Sequence, residues 1–158
     1  MNYFSDFPDA SRLWLYQTNR ALTENEVAYL TKEISTFVGE WAAHGDKLWA
    51  TGAVLNPFFI GFVVDDTITP PSGCSIDASV KFLKKLGEEL SIDFFTRMSV
   101  CYQRGDENSI KQIAFMKLSD IENPHEVLIY DSLVNNLGSL RKQWPIPLKE
   151  SNFANVLP

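Results

Sequence analysis

Cys74 is the residue whose type and position best suit chemistry. It follows Ser72-Gly73 and precedes Ser75, just where a helix is expected to begin. The first N–H groups of a helix lack intrahelical partners and its dipole favours negative charge, so a thiol placed there ionises more readily. His44 is the natural base for such a thiol, and Asp77 or Asp65 could orient its imidazole. Together they would form a nucleophile, a base and an orienting acid, the set that thiol-dependent enzymes and redox proteins use.

The same four residues, Ser72, Gly73, Cys74 and Ser75, allow a reading without sulfur chemistry. Their backbone N–H groups could hold a small anionic ligand such as a carboxylate or a phosphate. A structural role is the plainer reading, with Cys74 as a small residue at a tight junction and Ser72 or Ser75 as the helix cap. Asp65, Asp66 and Asp77 match no cation-binding loop. Two His and two Cys, each set singly, do not make a zinc site. No metal and no cofactor are expected. Cys101 lies within an apolar strand and reads as core, whereas His125 follows Pro124 in a turn and reads as surface.

Whether these residues meet depends on the elements that carry them. Residues 12–17 alternate as an aromatic-rich strand. Thr23 and Glu26 form a capping-box pattern, and Val27, Leu30, Ile34, Phe37, Val38 and Trp41 continue it at helical spacing, with Gly45 suited to end the helix. Residues 48–55 and 58–64 read as strands joined at Asn56-Pro57, the second almost wholly apolar as a central strand should be. A second helix is expected from about Ile76 to Leu90 and a fourth strand over 95–103. Weaker strands fall at 110–116 and 126–131, and a short helix around 133–143.

The order β-α-β-β-α-β predicts an α+β, ferredoxin-like antiparallel sheet with two helices on one face. One domain spans 1–158, with a core of about 11–104 and a C-terminal extension of about 105–158. A three-layer α/β fold, the extension covering the second face, is the alternative. In the ferredoxin-like order His44 and Cys74 fall at the same end of the sheet, so a pair between them is permitted. Leu13 and Leu15 face one side of the first strand, Trp14 and Tyr16 the other, so both sheet faces need cover. Either the extension or a homodimer through the sheet face would supply it.

Composition narrows the function. The 158 residues are 45% hydrophobic and 22% charged, as in a globular domain, with a formal net charge of −6. That balance, with no basic run, argues against nucleic acid as a partner. No apolar run approaches the ~20 residues of a membrane span, so no membrane role is expected. Unpaired cysteine usage and an N-terminus without signal-peptide character lead to a cytoplasmic expectation.

Several stretches resemble a family of short uncharacterised bacterial proteins often labelled "ABC transporter ATPase". They are Phe7-Pro8-Asp9, Leu15-Tyr16-Gln17-Thr18-Asn19-Arg20, Trp41-Ala42-Ala43-His44-Gly45, Ser72 through Val80, and Ile146-Pro147-Leu148-Lys149. The label implies an ATPase, which needs a Gly-rich loop ending in Gly-Lys-Ser or Gly-Lys-Thr to cradle phosphates. Neither tripeptide occurs in the chain. The expectation is therefore a non-catalytic module that binds a small ligand or a protein, with a thiol-dependent activity centred on Cys74 as the alternative.

Overall fold

The computed structural model describes residues 2–157 and shows a mixed α+β fold in which the chain covers both faces of its own sheet. Strand β1 (Arg12–Gln17) leads to α1 (Glu24–Glu40), then a two-residue-turn hairpin of β2 (Ala42–Ala43) and β3 (Asp46–Lys47). β4 (Ala50–Asn56) and β5 (Phe59–Val64) follow, then α2 (Gly73–Leu90). β6 (Ser99–Arg104), β7 (Lys111–Ala114), β8 (Val127–Tyr130), α3 (Leu137–Gln143) and β9 (Ile146–Pro147) complete the named elements, with short 3₁₀ helices between and after them.

Local signals account for the first half. Thr23 and Glu26 form the expected capping box of α1, and Arg20 grips the same Glu26 carboxylate through two N–H···O bonds of 3.0 and 2.8 Å. That guanidinium holds the Glu26 carboxyl below the usual carboxylate range and also donates to the Leu90 carbonyl, tying the start of α1 to the end of α2. Asn56 accepts a hydrogen bond from the Phe58 N–H, which sets the β4–β5 turn. β5 is central and fully buried, with β1 and β4 antiparallel on either side.

The faces of β1 divide as its alternation requires. Trp14 and Tyr16 pack with α1 and α2 around Ile34, Phe62 and Leu83, while Leu13 and Leu15 face Phe59, Cys101, Tyr130 and Trp144. Burying large apolar side chains on both faces contributes roughly 1.5–3 kcal/mol each. The chain's own C-terminal segments thus pack on the sheet face that needed cover from either the extension or a second copy.

A ferredoxin-like sheet would place β6 beside β1. Instead the first sheet has the order β4-β5-β1, and β6 lies in a second sheet of order β7-β6-β8-β9. Residues 95–98, expected as the start of the fourth strand, are irregular because the Asp93 carboxylate accepts from the Phe95 N–H and turns the chain. β6 is hydrogen-bonded to β1 at its end, where Gln17 Nε2 donates to the Ser99 carbonyl over 2.9 Å, and Cys101 packs in the same apolar cluster as Leu13. From there Val100 and Tyr102 face Val127, Ile129, Leu118 and Leu148, a third apolar cluster that draws β6 away. Arg141 on α3 pins the N-terminal arm by donating to the carbonyls of Tyr3, Phe4 and Phe7 while pairing with Asp9.

Candidate functional site

The α2 N-terminus is closed by its own side chains. Ser72 Oγ accepts from the Ser75 N–H, and Ser75 Oγ accepts from the Ser72 N–H over 2.7 Å while donating to the Ser72 carbonyl. Ser75 is buried, and its carbonyl accepts a 2.7 Å hydrogen bond from the indole N–H of Trp41. Of the four residues expected to bind a ligand, Ser72 and Ser75 are engaged in this capping box, and Gly73 and Cys74 are exposed.

His44 does not end α1. The helix stops at Glu40, because Trp41 turns extended to reach Ser75 and to accept from the Leu48 N–H. His44 and Gly45 are the central residues of the β2–β3 hairpin, with φ of 51° and 82°. Positive φ at both positions is what a two-residue hairpin turn demands, so Gly45 serves the hairpin instead of a helix end. β2 lies against α2, so the structure does bring the two motifs to one end of the molecule. Cys74, His44 and Asp77 are all exposed. Among the described residues, no hydrogen bond joins them, and the cysteine sulfur with a hydrogen-bond partner is that of Cys101. Asp65 spends its carboxylate on the N–H and hydroxyl of Thr67. Cys101 is wholly buried, and desolvation pushes its thiol up to about 12. Among the described residues no three His, Cys, Asp or Glu side chains gather as metal ligands would, and no helix is long and apolar enough to cross a membrane.

The open site lies elsewhere, on the edge of β1 that faces away from β5. Two adjoining cavities of about 470 and 720 Å³ run along it and share Leu15, Tyr16, Phe95, Arg97, Ser132 and Leu133. Lys84 lines the larger. Among the described residues no carboxylate lines either cavity, and Lys84 and Arg97 join no ion pair. In a chain of net charge −6 this is a local reversal of sign. The floor is apolar: Tyr16 is half-buried, its hydroxyl bonded to Ser79 and its phenol pushed up by desolvation.

One wall is an ordered turn that holds an apolar side chain out. Asp131 accepts from the Leu133 N–H through its carboxylate and from the Trp144 indole through its carbonyl, while Asn152 donates to its other oxygen. Leu133 is nonetheless 71% exposed, and Met98, next to Arg97 in the chain, is 68% exposed. Large apolar side chains presented in this way beside a cavity mark a binding surface. The sequence reading missed Arg97, Lys84 and Leu133, which are isolated residues on three different segments without any motif. Compared with known protein families, curated proteins and solved structures, the chain matches none of them.

Proposed function

We propose that this protein is a non-catalytic binding module whose groove along the outer edge of β1 takes a ligand with an apolar body and a negative charge. The supporting observation is that Lys84 and Arg97 stand on an apolar groove that, among the described residues, has no carboxylate and no ion pair with either cation, in an otherwise acidic chain. The cavity volumes lie within the ~300–1,000 Å³ that small-ligand sites occupy. The two free cysteines suit a reducing, cytoplasmic setting.

Titration of the isotope-labelled protein with octanoate and with octylamine tests this reading by nuclear magnetic resonance. Octanoate should shift the amides of Leu15, Tyr16, Arg97 and Leu133, and Arg97→Glu should weaken its binding about ten-fold, the scale of one charge-assisted contact. Equal binding of the amine, or shifts confined to other regions, would defeat the proposal.

A further inference from the structure

We infer that the natural occupant of this groove is an extended acidic segment of a partner protein, which adds as a strand to the outer edge of β1; the inference rests on the binding reading above. Successive residues of a strand direct their N–H and C=O groups to opposite edges. The Thr18 N–H bonds the Phe58 carbonyl on the β5 side, whereas the Leu13 N–H bonds the Asn135 carbonyl on the outer side. The odd-numbered residues of β1 therefore face outward. The outer edge is engaged at its two ends, by Leu137 N–H on Ser11 C=O and Asn135 on Leu13 at one end, and by Thr96 N–H on Gln17 C=O at the other. Between them the Leu13 C=O, both polar groups of Leu15 and the Gln17 N–H have no partner among the described residues.

Asn135 already lies opposite Leu13 and Thr96 bonds Gln17, so the open interval is that of Trp14 to Tyr16, about 10 Å, which accommodates about three residues of an extended segment whose flanking amides reach the Gln17 N–H and the Leu13 C=O. Its repeated acceptor and donor pattern is one that a peptide backbone matches and a single carboxylate does not. The alternation of environment agrees. A residue opposite Leu15 would lie on the side of Leu15 and the second apolar cluster, and its neighbours on the side of Trp14, Tyr16 and Lys84. The matching segment alternates apolar and acidic residues. β4, the opposite edge of the same sheet, lines neither cavity.

The probe is a pool of tripeptides, acetylated at one end and amidated at the other, with Val, Ile, Leu or Phe at the central position and Asp or Glu on either side. Members of the pool should bind, and hydrogen exchange at the Leu15 and Gln17 amides should slow on binding. N-methylation of the central residue, which removes its bond to the Leu15 carbonyl, should weaken binding about ten-fold, and Arg97→Glu by a similar factor. An N-methylated peptide that binds as well as its parent would overturn strand addition. No binding by any member, with octanoate still bound, would overturn the peptide and leave the groove reading intact; loss of both would end both. Sedimentation of the protein alone gives the remaining arm. A dimer that Leu15→Pro disperses, in a variant whose circular dichroism is unchanged, would assign the groove to a second copy and overturn the inference.

Discussion

The first turn of α2 and the outer edge of β1 are both places where backbone polar groups run out of regular partners, and the chain treats them in opposite ways. At α2 the serines at positions 72 and 75 satisfy each other, and Trp41 arrives from the hairpin to take the Ser75 carbonyl. At β1 the backbone groups of Leu15 have no hydrogen-bond partner among the described residues, and the groove beside them carries Lys84, Arg97 and the exposed Leu133. A helix end can be closed by a neighbour three residues away, whereas a sheet edge is closed by backbone brought from a distant strand or loop. The strand expected to do so, β6, belongs to the second sheet. A conspicuous motif can thus be a finished piece of structure, while a binding surface forms where pairing was withheld.

The most severe way to break this contrast is to remove the residue that closes the α2 end. Trp41→Ala should lower unfolding free energy by about 3–5 kcal/mol, because a buried indole packed on Phe37 and Phe62 is lost. Trp41→Phe, which deletes only the donor to Ser75, should cost about 1–2 kcal/mol in the same denaturant titration. The β1 edge should show its openness in native-state amide exchange. Leu15 should exchange roughly 100-fold or more faster than Trp14 and Tyr16, whose N–H groups face β5. Comparable protection at all three would mean that the edge is covered.

Ser75→Ala tests the closed end more gently. It removes one half of the capping box and strands the Ser72 N–H, at about 1–2 kcal/mol by thermal or denaturant unfolding. The cysteines sharpen the comparison through pH. Burial pushes Cys101 up to about 12 from an ordinary value of 9.0, so it stays protonated in the folded chain when its unfolded counterpart ionises. Above pH 9 the unfolded state holds fewer protons, and stability falls as pH rises toward 12. Tyr130, also pushed up to about 12, adds to the decline in the same direction. Cys101→Ala should shallow this alkaline slope in denaturant midpoints measured from pH 8 to about 11. The smallest expected effect concerns His44. Iodoacetamide should label Cys74 in the native protein and spare Cys101, and His44→Asn, which tolerates the positive φ, should leave the Cys74 rate unchanged. A several-fold drop in that rate would restore the thiol–imidazole pair and break the picture of a purely capped helix end.

Much of the fold was legible where a signal is local. Thr23 and Glu26 announced the start of α1, Asn56-Pro57 the β4–β5 turn, and the alternation in β1 the two buried faces, because capping, turn chemistry and strand alternation act within a few residues. The end of α1 was misread at Trp41. Its apolar side chain fits the helical period, but a hydrogen bond to a residue 34 positions away and a hairpin turn at His44-Gly45 override that period. Residues 95–98 were misread as strand for a similar reason, since one carboxylate at Asp93 redirects the chain.

The sequence by itself determined the helices, the central strand, the capped entry to α2 and the acidity of the surface, all properties of residues near one another or summed over the chain. Only the tertiary structure decided which strand would lie beside β1, that the C-terminal segments would cover the sheet, and that Lys84, Arg97 and Leu133 would meet along one groove. Strand partnership is settled by competition among distant apolar surfaces, and Val100 and Tyr102 found a better fit against Val127, Ile129 and Leu148 than beside β1. The open edge is the consequence of that competition.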